Sequence, residues 1–266
     1  MPSAPKPARK PARKPAPPHN RSADEARLIA RVTPERRRDF SRRLRAWFAR
    51  HHRDLPWRRT RDPYRVLVSE LMLQQTQVDR VVGFYAQFLA RFPSFESVAA
   101  ASTDRVVDAW EGLGYYARAR NLRSLAVHLV AEGTPARLPE DPATLRTLPG
   151  IGPYTAGAVA SFAFERRAAL IDTNVERVLR RVFAPHLKPK TPRTHRLLWA
   201  LAEVLLPRTG PATWTHNQAL MELGALVCTA RVAHCSRCPV RSACVTGTRQ
   251  AGTGGGKSAT RGPGAT

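Results

Sequence analysis

The chain has 266 residues, with 44 Lys+Arg against 20 Asp+Glu for a formal charge of +24. That length suits one large or two small domains of about 100 to 200 residues each and excludes a wholly disordered basic tail. Residues 1–21 carry six of the basic residues and 246–266 carry three, neither with any acid, which leaves +15 on residues 22–245 and favours a polyanionic partner, nucleic acid ahead of an acidic membrane.

Residues 1–29 open with the near-repeat ARKPARKPAPP and are expected to be a disordered basic arm that adds salt-sensitive contacts to phosphates. The arm has no apolar stretch of a secretory signal, and its prolines oppose the amphipathic helix of a transit peptide. No run of about 18 apolar residues occurs, so no membrane span is expected. A reducing, cytoplasmic setting follows, in which four cysteines act as metal ligands sooner than as disulfides. The Arg-heavy bias hints at a GC-rich bacterial genome.

From residue 30 to 245 the apolar residues recur at helical spacing. Thr33-Pro34 starts a helix whose Phe40, Leu44, Trp47 and Phe48 share one face. The pattern repeats over about 64–76, 78–91, 103–111, 115–131, 141–147, 153–164, 173–184, 193–206 and 214–226, with Gly or Pro between many of these segments. No alternating strand pattern stands out, so the expected class is all-α. Residues 246–266, rich in Gly and Thr, read as a disordered tail.

Three features carry chemistry. In Leu148-Pro149-Gly150-Ile151-Gly152-Pro153-Tyr154 a helix ends, Gly150 and Gly152 turn the chain, and a new helix starts with Pro153. Free backbone N–H groups at such a turn can bind a phosphate without reading sequence, which is the helix-hairpin-helix signature of DNA-repair proteins. Cys228, Cys235, Cys238 and Cys244 can wrap one soft metal centre; only one pair is close, which leans away from zinc. Finally, Glu70 sits mid-way along an apolar helix, where burial would raise its pKa and suit it to general acid work, although taken alone a structural pairing with an Arg is the better explanation. Gln74, Gln75 and Gln77 follow, side chains able to fill the hole left by an extruded base.

From about Phe40 to Cys244 the chain resembles the catalytic region of the adenine DNA glycosylases, in the endonuclease III superfamily of helix-hairpin-helix glycosylases. The motifs are Leu55-Pro56-Trp57-Arg58, Ser69 to Val78, Trp110 to Arg118, the Gly150/Gly152 turn, Asp172-Thr173-Asn174-Val175 and the Cys spacing. The resemblance implies a 4Fe-4S cluster on Cys228, Cys235, Cys238 and Cys244. It also implies a cluster lobe (30–62 and 165–245) and a six-helix lobe (63–164, hairpin at 145–160) flanking a substrate cleft. Glu70 would protonate adenine, Asp172 would stabilise the cationic sugar, and Asn174 would orient Asp172 or the sugar. Tyr154 stands where lyase relatives carry a Schiff-base Lys, which implies a monofunctional enzyme. Gln74, Gln75, Trp57, Arg53, Leu55 and Glu222 are expected in the base pocket, and Tyr115 as a ring wedged into the duplex. The histidines are read as surface or packing residues.

The expected partner is duplex DNA with adenine opposite 8-oxoguanine or guanine, acted on by a monomer. Many family members carry a further C-terminal domain that recognises 8-oxoguanine. This sequence stops soon after Cys244, so that discrimination would rest on the catalytic region. One rival reading is a thymine or uracil mismatch glycosylase; another is a non-enzymatic, metal-stabilised DNA-binding protein, against which the two carboxylates argue.

Overall fold

The computed structural model describes residues 21–252. It is built from helices α1 (Ala23–Ala30), α2 (Pro34–His51), α3 (Pro63–Leu73), α4 (Val78–Arg91), α5 (Phe95–Ala100), α6 (Thr103–Asp108), α7 (Ala117–Glu132), α8 (Pro142–Leu145), α9 (Pro153–Phe162), α10 (Thr173–Phe183), α11 (Pro192–Leu205), α12 (Gly210–Leu226) and α13 (Val245–Gly252). Among the described residues there is no strand, in keeping with the all-α expectation.

Helix starts follow capping chemistry closely. Thr33, Asp62, Asp141 and Thr191 each accept a bond from the backbone three residues on, and each precedes a proline whose missing N–H costs nothing in the first turn. The same tolerance explains one difference from expectation. Gly210-Pro211 reads as a separator, yet α12 begins there because Pro211 occupies its first turn. Segment 63–164 holds seven helices, α3 to α9, since Ser94 and Ser102 each cap a short one.

Both ends are more ordered than expected. Inside the anticipated arm over 1–29, Ser22 and Glu25 form a reciprocal capping box, and α1 packs on α11 with Leu28 buried. Inside the anticipated tail, α13 continues from Cys244, whose sulfur and carbonyl accept from the Gly247 and Thr248 amides. Residues 1–20 and 253–266 lie outside the described residues.

Helix α3 contacts α4, α7 and α9, while α12 lies against α2, α9 and α10, so residues near the two chain ends pack together. Val66, Leu67, Val68, Leu71 and Met72 of α3 are at most 3 % exposed. Burial contributes about 1.5–3 kcal/mol for each such side chain, enough together to outweigh the cost of burying a carboxyl among them. Gly157 of α9 lets the chain leading to Asp172 approach, because a Cβ there would fall 2.0 Å from the Ala169 carbonyl oxygen.

Candidate active site

A cleft of about 940 Å³ opens between α3, the hairpin turn before α9, the start of α10 and the face of α12. Glu70, Tyr154, Asp172, Asn174, Arg53, Leu55, Trp57, Gln74, Gln75, Gly150, Gly152 and Glu222 all line it. Tyr115 does not; it borders an adjoining pocket that it shares with Gln74 and Gln75.

Glu70 is 3 % exposed, and its Oε2 accepts a 2.6 Å bond from the Tyr154 hydroxyl. Burial pushes its pKa up to about 7; the negative charge of Asp172 adds to this, while the Tyr154 bond and Arg58 oppose it. The same burial, with Glu70 and Asp172 nearby, drives the Tyr154 hydroxyl well above its usual range, so it stays a donor. Across the cleft Asp172 caps α10. Its Oδ1 accepts from the Val175 amide at 2.6 Å and its Oδ2 from Asn174 at 3.0 Å. Burial raises the Asp172 pKa above its usual range, opposed in part by these donors and by Arg177. Arg177 donates to the side-chain Oδ1 of Asn174 at 2.6 Å, fixing the amide that orients Asp172. Capping and function thus share one side chain. Two carboxyl groups thus share one cleft in different settings: Glu70 accepts from one hydroxyl, Asp172 from a backbone amide and a side-chain amide.

The cleft floor is a buried charge network. Glu222 of α12, 1 % exposed, receives bonds from Arg53 (2.8 and 3.0 Å) and from Arg58 (2.9 Å to Oε2). Burial alone would raise its pKa, but these donors win and hold it at about 2. Arg58 also bonds Gln218, one helical turn from Glu222 on the same face of α12. Leu55 and Trp57 are buried beside this network, Trp57 edge-on to Tyr85 at 5.5 Å. Arg58 and Gln218 were not singled out from sequence. The signal for Arg58 was its place in the Leu55–Arg58 motif; Gln218 had only its spacing of four from Glu222.

The hairpin departs from expectation in detail. Gly150 alone has positive φ (+73°), and a Cβ there would fall 2.7 Å from that of Asn121. Gly152 is extended and starts α9, which no side chain caps, so first-turn amides face the cleft mouth unpaired. The Gln string leaves helix geometry early. α3 stops at Leu73, and Gln75 and Tyr115 both sit in the left-handed region (φ 59° and 50°). Arg118 explains both turns. Nearly buried and without a carboxylate partner, it donates to the carbonyls of Leu71, Met72, Gln74, Leu113 and Gly114 at 2.6–3.2 Å. It binds the α3 C-terminus, where carbonyl dipoles welcome a cation, to the loop that presents Tyr115. Tyr115 is 59 % exposed.

The four cysteines are free thiols that line one pocket between α10, α12 and α13, along with Val182, Leu223 and Val240. Arg181 reaches the Cys228 sulfur at 3.4 Å and the Gly247 amide reaches that of Cys244 at 3.3 Å. Among the described residues no three metal-ligating side chains converge on a single-ion site. Thiolates are soft donors, the type that a soft metal centre takes. Of the histidines, His216 is buried against Phe40 with neither ring nitrogen bonded, a packing residue as expected.

Residues 68–203 match the family model for the HhH-GPD superfamily base excision DNA repair protein. The chain belongs to the HhH-GPD superfamily. Its HhH-GPD segment contains Glu70, Tyr154, Asp172 and Asn174, whereas the Arg53–Arg58 wall, Glu222 and the cysteines lie outside it. The chain is 42 % identical over 227 residues to the adenine DNA glycosylase of Homo sapiens, covering 82 % of this chain and 40 % of that one. To the adenine DNA glycosylase of Mycobacterium tuberculosis it is 44 % identical over 201 residues, 74 % of this chain and 64 % of that one. It therefore spans less than two thirds of these relatives. Among solved HhH-GPD-like structures, that of a thermostable thymine-DNA glycosylase superposes with a TM-score of 0.74 at 30 % identity, covering 82 % of this chain and 99 % of that one.

Proposed function

We propose that the chain is a monofunctional adenine DNA glycosylase, which removes adenine paired with 8-oxoguanine or guanine in duplex DNA. The observation that carries this reading is the pairing of a protonatable Glu70, held by Tyr154, with Asp172, held by Val175 and Asn174, in one cleft beside an uncapped hairpin turn. The hairpin amides hold a phosphate while the target nucleotide leaves the stack, at a cost of about a few kcal/mol that a mispair reduces. Glu70 gives its proton to a ring nitrogen of adenine. The C1′–N9 bond breaks with its electron pair going to the base, and Asp172 stabilises the cationic sugar. A water oxygen bonds to C1′, and its proton returns to the Glu70 carboxylate. Tyr154 offers no amine, so no Schiff base forms and the backbone stays intact.

The same reading puts a 4Fe-4S cluster on Cys228, Cys235, Cys238 and Cys244, where four Fe–thiolate bonds would cross-link residues 228–244 into one loop.

The test is incubation with duplexes bearing A:8-oxoguanine, A:G and T:G, followed by alkali to cut abasic sites. Adenine release from the first two supports the reading. The thymine reading draws on the thymine-DNA glycosylase superposition, and thymine release without adenine release would establish it. Binding without release of any base would leave a DNA-binding module.

A further inference from the structure

Beyond the hairpin turn lies a second cleft of about 880 Å³, between α1, α2, α8, α9 and α11. It shares Pro153 and His195 with the catalytic cleft, so the two adjoin at the start of α9. Its charged lining is Arg21, Arg37, Arg146, Arg167 and Arg196 against a single acid, Glu203. Glu25 engages Arg196 at 3.5 Å, and Arg167 donates to the backbone carbonyls of Glu203 and Pro207. The side chains of Arg21, Arg37 and Arg146 have no hydrogen-bond or ion-pair partner among the described residues.

Folding does not ask for this arrangement, since unneutralised like charges gathered in one cleft oppose the compact state. An anion in the cleft would repay it. Residues 1–20 carry five Lys/Arg and no acid, so they hold nothing that could neutralise the cleft. The occupant must therefore come from outside the chain, and the cleft's place beside the catalytic cleft selects it.

We propose that this cleft holds the phosphodiester backbone of the DNA arm that leaves the catalytic cleft past the hairpin. The inference rests on the reading of the chain as one that acts on DNA. Guanidinium forks suit phosphate oxygens, and such contacts position the duplex without reading its sequence. The footprint then reaches well past the mispair on one side only.

The experiment compares the full chain with the double variant Arg37→Ala/Arg146→Ala on A:8-oxoguanine duplexes of roughly one and a half and roughly four helical turns, with dissociation constants measured across a salt series. The wild type should bind the longer duplex more tightly. The variant should lose about tenfold on the longer duplex and little on the shorter, and its slope of log Kd against log salt should fall by about 1.8, which is about 0.9 for each phosphate released. Its melting temperature and its single-turnover excision rate on the shorter duplex should match the wild type, because neither side chain bonds to the fold. Equal loss on both duplexes, or no loss on the longer one, would overturn the proposal. If no adenine is released yet the length-dependent loss persists, the proposed activity fails and the cleft stands; if adenine is released and the variant binds both duplexes as the wild type does, the cleft fails alone.

Discussion

The Tyr154 hydroxyl donates a 2.6 Å hydrogen bond to Oε2 of Glu70, joining the helix that follows the hairpin to a helix 84 residues earlier. This bond favours the Glu70 carboxylate, whereas burial favours the protonated acid, and the balance rests at about 7. The proposed reaction uses the protonated form, so its single-turnover rate should be flat in mild acid and fall as pH rises through about 7. Tyr154→Phe removes a group that lowers the Glu70 pKa, so the fall should move to higher pH. A fall that stays in place would show that Tyr154 does not tune the acid.

Glu70→Gln should abolish excision and stabilise the fold above neutrality. Its folded-state pKa lies above the unfolded value, so the carboxyl contributes fully to stability at low pH, and that contribution is lost as pH rises from about 4.5 through about 7. Above that window a buried negative charge remains, which Gln lacks. The variant should therefore gain about 1–3 kcal/mol over the wild type at pH 8 and much less at pH 5, measured by urea unfolding at both values. Equal differences at the two pH values would refute the buried-acid assignment.

Glu222 has the opposite sign. Its folded pKa of about 2 lies below the usual carboxylate range, so its contribution is present above about 4.5 and is lost as pH falls toward 2. Arg58→Met leaves the buried Glu222 with Arg53 alone, a loss of roughly 1–3 kcal/mol. Denaturant unfolding should show this deficit at pH 7 and a smaller one at pH 3, and Arg58→Met/Glu222→Met should recover part of it.

Arg118→Met should leave α3 and the Tyr115 loop without their shared clamp. We expect single-turnover excision to fall at least tenfold while Arg118→Lys, which keeps the charge but not the fork, recovers only part. A fluorescent adenine analogue at the target position reports extrusion directly. If extrusion and rate both survive in the Met variant, the turns at Gln75 and Tyr115 hold without the clamp.

Much of the site was legible because its signals are local. Asp172 before Thr173-Asn174-Val175 reads both as a cap and as a carboxylate facing a cleft, and it is a cap that also lines the cleft. Pro-marked helix starts were equally readable wherever an Asp or Thr preceded them. What sequence could not give was set by distant partners. The end of α3 at Leu73 depends on Arg118, which lies more than forty residues on, and the positive φ of Gln75 and Tyr115 has no residue signature, since neither is Gly or Asn. Helix α1 was hidden because its basic, proline-rich prelude dominates the composition, whereas its order comes from the Ser22–Glu25 box and the α11 surface.

The Arg53–Glu222 pair closes a loop of 169 residues. During synthesis the acid, the hairpin and Asp172 all emerge before α12, yet the floor on which a base would rest is missing until Glu222 arrives. A nascent chain thus holds both carboxyls of the cleft before the wall that Glu222 completes is in place.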